Sequence, residues 1–329
     1  MKNYSNTNNY WLNLYKMSAL LFPGQGSQMV GMGSEFYNSF DLVKKIFKQA
    51  DENLKYPISK IILEGPQNQL QLTQNTQPAI LTVSYSIFRV LKDEFGFDCK
   101  LFKYFAGHSL GEYSALVCSE SIDFKDAIYL LHERGKAMQD AVPVGEGSMI
   151  AVLGLDINKV KDLLQDRINK KSVCEIANDN ADGQIIISGD TPSVDSFKIL
   201  LKEKKIKSIP LKVSAPFHCS LMKGAAQKMK EKIDNTKFNK PLFEIINNVT
   251  AKVENEPNII KKLLIEQIFS TVKWRESIIK MSKNGVSNFI EIGPGKVLSG
   301  MVKRTVKDAK CFSINSIADI KNFINESKK

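Results

Sequence analysis

The chain has 329 residues, 43% of them apolar and 25% charged, and carries a net charge of +11 at pH 7. Those proportions exclude a disordered or collagen-like polymer, and no apolar run approaches the ~18 residues of a membrane-spanning helix. The basic residues are scattered rather than blocked and no nucleic-acid module is visible, so the positive field points to acidic partners and not to nucleic acid.

Residues 1–16 are polar and asparagine-rich and lack the apolar core of a secretory signal; they are expected to be a disordered extension. Ser18–Phe22 reads as a short buried strand that ends in Pro23-Gly24-Gln25-Gly26-Ser27. Helical stripes follow over 41–53 (Leu42, Val43, Ile46, Phe47, Ala50) and over 78–95 (Ile80, Leu81, Val83, Ile87, Phe88, Leu91). Residues 101–106 form a second buried strand. It runs into Gly107-His108-Ser109-Leu110-Gly111, a helix to about Cys118, and a further helix over 123–141. Strands alternating with helices predict a parallel sheet covered on both faces.

The rhythm changes near Pro143. Strands are expected over 149–155, 173–177, 184–188 and 206–213, with helices over 157–168, N-capped by Asp156, and from Thr191 (N-cap) and Pro192 (N1) to about Lys204. The order β-α-β-β-α-β is that of a ferredoxin-like unit. The chain therefore reads as an α/β core, 17–142 and 214–329, with an inserted α+β subdomain at 143–213. The core resumes with helices over 220–233, 259–269 and 274–283. Strands follow over 243–247, 286–292 and 311–314, the second ending in Gly293-Pro294-Gly295.

Gly107-His108-Ser109-Leu110-Gly111 is a G-x-S-x-G between a strand and a helix. That context lets a cramped turn expose the Ser109 hydroxyl, with the helix N-terminus beside any developing oxyanion. A serine needs a base. Of three histidines, His108 should point away from its neighbour and His132 reads as an exposed helical residue. His218, in Ser214-Ala215-Pro216-Phe217-His218-Cys219, is left as the candidate. No acidic residue stands out as a third member, and a backbone carbonyl would serve to orient the imidazole. The 23–28 loop is either a tight turn or a second oxyanion donor. Arg134, among Leu130, Leu131, Ala137 and Met138, is either a snorkelling surface residue or a clamp for a substrate carboxylate. Cys99, Cys118, Cys174, Cys219 and Cys311 are odd in number and form no Cys-x-x-Cys, so they predict free thiols, a reducing cytoplasm and no metal site.

Taken in order, LFPGQGSQMVGMG (21–33), TQPA (76–79), GHSLGEYSALVC (107–118), HERGKAMQDAVP (132–143), APFHCSLM (215–222), INNV (246–249) and EIGPGKVLSGMVKR (291–304) resemble the malonyl-CoA:acyl carrier protein transacylases. These are acyltransferases of fatty acid and polyketide synthesis. The resemblance implies an α/β-hydrolase-like core with the ferredoxin-like insertion. It implies Ser109 as nucleophile, His218 as base and the backbone carbonyl of Gln267 as the group orienting His218. The N–H groups of Gln25 and Leu110 would form the oxyanion hole, and Arg134 would pair with the malonyl carboxylate. Phe217, with Leu110, fits the malonyl-selecting pattern, although one methyl group gives only ~1–3 kcal/mol of discrimination. No cofactor is implied beyond the substrates, malonyl-CoA and the phosphopantetheine of an acidic acyl carrier protein. Lys303 and Arg304 are candidates for the carrier-facing surface or simple solvated charges, and a monomer is the family's usual form. Two rivals remain at this level: a serine hydrolase, and a carrier-docking module without catalysis.

Overall fold

The computed structural model describes residues 18–165 and 173–326. The extension expected at 1–16 and the last residues of the helix expected over 157–168 lie outside the described residues.

Among the described residues ten strands form two sheets. The first contains β1 (Ser18–Phe22), β2 (Tyr104–Gly107), β7 (Glu244–Ile246), β8 (Val253–Glu254), β9 (Asn288–Ile292) and β10 (Lys310–Ile314), in the order β10-β9-β1-β2-β7-β8. Five of them run parallel, and β8 joins β7 antiparallel at the edge. The sheet is therefore mixed rather than purely parallel. A two-residue edge strand is too short to show a period of two, which is why the sequence does not announce it. Both faces of β1 are buried: Leu20 and Phe22 join one apolar cluster, Ala19 and Leu21 the other. Such two-sided burial is what a continuous apolar strand requires.

The second sheet contains β3 (Gly147–Leu153), β4 (Cys174–Ala181), β5 (Gln184–Asp190) and β6 (Ser208–Pro210), all antiparallel, in the order β4-β5-β3-β6. Helices Ile157–Gln165 and Thr191–Glu203 cross between its strands, giving β-α-β-β-α-β. Ile150, Val152, Ile185 and Ile187 pack under these helices with Val160, Val194, Phe197 and Leu201. Met149 and Ile186 face the other way, toward the first sheet, and line a cavity between the sheets. The Asp156 carboxylate caps the first helix through the N–H groups of Asn158 and Lys159. The cap of the second is Asp190, not Thr191: its carboxylate accepts from Ser193 N at 2.9 Å, one residue earlier than expected. Strand β6 ends at Pro210, three residues short of the expected bound; Leu211 N still donates to Met149 O at 2.9 Å, and residues 211–213 line the cavity.

The long helix expected from Pro78 begins five residues earlier, at Thr73, and runs to Arg89 with Pro78 inside it. A proline leaves the carbonyl four residues back without its donor. Here that carbonyl, Gln74 O, accepts from His132 Nδ1 at 3.0 Å. His132 is thus half-buried structural support and not an exposed helical residue.

Candidate active site

Strand β2 ends at Gly107, and after three intervening residues the chain enters the Gly111–Cys118 helix. Ser109 sits at the apex with φ 54°, a left-handed conformation that costs a non-glycine residue about 1–3 kcal/mol. A Cβ on Gly107 would overlap the Gly111 carbonyl, and one on Gly111 would overlap the carbonyl of Phe22. Both glycines are therefore demanded by packing. Asn248 pins the turn: its Oδ1 accepts from Ser109 N at 2.7 Å and its Nδ2 donates to Gly107 O at 2.7 Å. The 23–28 loop leaves β1 alongside, where Phe22 O accepts from His108 N at 3.0 Å.

Ser109 Oγ lies 2.8 Å from His218 Nε2, and His218 Nδ1 lies 2.8 Å from Gln267 O. A carbonyl only accepts, so Nδ1 carries the proton and Nε2 is left as the base. Burial, and next the positive charge of Arg134, push the imidazole down to about 3 against the opposing pull of the Gln267 carbonyl. His218 is therefore neutral at physiological pH, the form able to accept the serine proton. His108 turns away, as expected, with Nε2 2.8 Å from Asn180 Oδ1.

Arg134 is 1% exposed, so it does not snorkel. It rises from the Phe124–Gln139 helix, and its fork is held by two amides. Nη1 donates to Gln77 Oε1 at 2.8 Å and Nη2 to Gln267 Oε1 at 2.8 Å; Nη2 also reaches Ser109 Oγ at 3.2 Å. Among the described residues no carboxylate forms an ion pair with it. A buried charge without a counter-ion is expensive, by several kcal/mol even after relaxation. The expense is recovered if an anion binds beside it.

These groups face a cavity of about 480 Å³. Gln25, Leu110 and Phe217 line it with Ser109, Arg134 and His218, and the second sheet adds Met149, Asn178, Asn180 and Ile186. Among the described residues the N–H groups of Gln25 and Leu110 have no partner, whereas that of Ser109 is spent on Asn248. Of the two cationic residues singled out beyond Gly295, Arg304 donates from the Val297–Thr305 helix to Gln184 Oε1 of β5 at 2.8 Å, and Lys303 is exposed.

Gln77, Glu112, Asn247 and Asn248 carry no recognisable role in the sequence, and Gln267 carries one only through its backbone. All five are buried. Their one signal is a polar residue inside an otherwise apolar segment, as with Gln77 before Pro78-Ala79-Ile80-Leu81 and Glu112 ahead of Tyr113-Ser114-Ala115-Leu116.

Comparison with known proteins agrees with this geometry. The acyl transferase domain model matches residues 19–324. The malonyl CoA-acyl carrier protein transacylase of Bacillus subtilis (strain 168) is 44% identical over 312 residues, covering 94% of this chain and 97% of that protein. The crystal structure of the acyl-carrier-protein-S-malonyltransferase from Bartonella henselae superimposes with a TM-score of 0.91 at 40% identity, covering 95% of this chain and 99% of the other. A type II PKS acyl-carrier protein in holo complex with its malonyl-transacylase matches with a TM-score of 0.90 at 37% identity, over 94% of this chain and 99% of the other. The chain belongs to the acyl transferase family, among the malonyl CoA-acyl carrier protein transacylases.

Proposed function

We propose that the chain transfers malonyl from malonyl-CoA to the phosphopantetheine thiol of acyl carrier protein through a malonyl-Ser109 intermediate, supplying fatty acid synthesis. The observation that carries this reading is the buried, unpaired guanidinium of Arg134, 3.2 Å from the Ser109 hydroxyl. An acyl group bearing a free carboxylate satisfies that cation while its thioester carbonyl reaches the serine. A neutral acyl group leaves the cation unpaired.

Ser109 Oγ attacks the thioester carbonyl as its proton passes to His218 Nε2, and Nδ1–H stays on the Gln267 carbonyl. The oxyanion is received by the N–H groups of Gln25 and Leu110; one such donor is typically worth 10²–10³ in rate. Collapse of the adduct breaks the carbon–sulfur bond, and the imidazolium proton leaves with CoA as its thiol. The carrier's thiol then gives its proton to His218 and attacks the malonyl ester, returning Ser109 to its free form. Pairing of the malonyl carboxylate with Arg134 also removes the charge that depresses His218, so substrate binding itself strengthens the base.

Phe217 is 7% exposed and lines the same cavity as Ser109 and Arg134, and its bulk there supports a preference for malonyl over bulkier acyl groups. In this reading residues 17–142 and 214–329 form the catalytic core and 143–213 an inserted subdomain that walls the cleft. The positive field of the chain favours an acidic carrier. No described helix is long and apolar enough to cross a membrane, and the five free cysteines support a reducing, cytoplasmic setting. The competing hydrolase reading is tested by following malonyl-CoA consumption with and without holo acyl carrier protein. Slow loss that rises steeply with carrier supports transfer; rapid loss indifferent to carrier overturns it.

A further inference from the structure

Glu112 opens the helix behind the nucleophile and is 1% exposed. Every group facing its carboxylate is a donor. Gln267 Nε2 donates to Oε2 at 2.8 Å, Asn247 Nδ2 to Oε1 at 2.6 Å and Asn248 N to Oε2 at 3.2 Å. The Gln267 amide is thereby given a direction. Its Nε2 is taken by Glu112 and by Ser109 O at 3.0 Å, so its Oε1 must face the other way, where it accepts from Arg134 Nη2. A flipped amide would set its NH₂ against the guanidinium, donor against donor. The second amide on the fork has no such control: among the described residues Gln77 Nε2 has only the thioether of Met138, at 3.9 Å. Burial disfavours the charged form of Arg134, and Tyr113 and then Glu112, one amide away, oppose that.

We propose that Glu112 is a positioning residue which fixes the orientation of the Gln267 side-chain amide, aims Arg134 at the acyl carboxylate, and so sets selectivity for acidic over neutral acyl groups. This rests on the malonyl-transfer reading of the site. Burial pushes the Glu112 carboxyl up to about 7, while the donors from Gln267, Asn248 and Asn247 and then the charge of Arg134 oppose the shift. The group is thus costly to keep ionised. A neutral amide of the same size keeps one acceptor oxygen but sets an NH₂ where the other stood, so at least one of the three donors would face a donor.

The test measures kcat/KM for malonyl-CoA and acetyl-CoA, with holo acyl carrier protein as acceptor, in wild type, Glu112→Gln, Arg134→Ala and the double variant. Loss of one charge-assisted bond costs about tenfold to a hundredfold. The malonyl-to-acetyl ratio of Glu112→Gln is expected to fall by about that factor, and in the Arg134→Ala background the same change should leave the ratio where it was. Gln267→Met keeps the backbone carbonyl for His218 but removes the amide. It is expected to reproduce the fall, and it tests the relay even if Glu112→Gln does not fold. Equal losses for both substrates, or an undiminished effect without Arg134, or an unchanged ratio in Gln267→Met, would overturn the assignment. A wild-type protein that accepts no malonyl would instead overturn the functional reading on which it rests.

Discussion

Arg134 Nη2 lies 3.2 Å from Ser109 Oγ, and Arg134 has no carboxylate of its own among the described residues. The nucleophile and the cation thus share one small volume. A substrate that satisfies both must carry an acyl carbonyl and an anionic group a few bonds apart.

Removing the cation should therefore change which acyl group is preferred. Truncating one partner of a buried charge pair costs about 2–5 kcal/mol, or roughly 30- to several-thousand-fold. Arg134→Ala is expected to lower kcat/KM for malonyl-CoA within that range and to lower that for acetyl-CoA far less. Steady-state kinetics with both donors checks it; equal losses would contradict the carboxylate clamp.

The same charge depresses His218, second only to burial. Arg134→Ala should raise the His218 pKa without returning it to the ordinary 6.5, because the burial remains. Titration of the imidazole by NMR in wild type and variant reads this directly. An unchanged or lowered value would be the contrary result.

Stability against pH has two opposing contributions. His218 is depressed from 6.5 to about 3, so across that window the unfolded chain holds a proton that the folded chain lacks, and stability falls as pH falls. Glu112 is raised from 4.5 to about 7, so there the folded chain holds the extra proton and stability rises as pH falls. The two oppose each other between 4.5 and 6.5. Glu112→Gln removes the second contribution, and its urea midpoint should drop more steeply than that of wild type from pH 6.5 to 4.5. Parallel curves would count against it.

The elbow tolerates no side chain at Gly107 or Gly111, two residues either side of Ser109. Because an added Cβ meets backbone and not a movable side chain, Gly107→Ala or Gly111→Ala is expected to cost at least about 3 kcal/mol, the upper end for overpacking. Urea unfolding of the variants measures it; a cost below about 1 kcal/mol would mean the turn relaxes easily.

The second sheet is tied to the Trp274–Lys283 helix of the core by a pair the sequence does not reveal. Arg275 Nε bonds both oxygens of Asp179, at 2.9 and 3.0 Å, and the Asp179 side chain is fully buried. Arg275→Met strands that carboxylate, and a loss of about 3 kcal/mol is expected from broken buried pairs. The cleft wall depends on the same contact, so KM for malonyl-CoA should rise as well. Thermal and kinetic measurements on the variant decide both points.

The parts legible in the sequence were those with a strong local pattern. Ser18–Phe22 and Trp274–Lys283 appear with the expected bounds, and the strand–turn–helix around Ser109 follows from its glycines and flanking apolar residues. Arg134 alone was ambiguous; the family resemblance, not its apolar neighbours, pointed to a carboxylate. Short helices at Ser34–Ser39, Ile58–Leu63 and Gln67–Leu70 went unread because four to six residues cannot show a helical period. Pro78 suggested a helix start because a first-turn proline is the common case, and nothing local says that His132 would take over its missing bond. Glu112, Asn247 and Asn248 were hidden for a related reason. Their partners lie about 135 residues away along the chain, and a buried hydrogen-bond network leaves no periodicity.

The central claim is a covalent malonyl-serine at Ser109 selected by Arg134. Intact-protein mass spectrometry after brief exposure to malonyl-CoA tests it most directly, with acetyl-CoA and Ser109→Ala as controls. The account predicts a malonyl adduct on the wild type, little from acetyl-CoA, none on Ser109→Ala, and its discharge when holo acyl carrier protein is added. No adduct, or an equal one from acetyl-CoA, would contradict it.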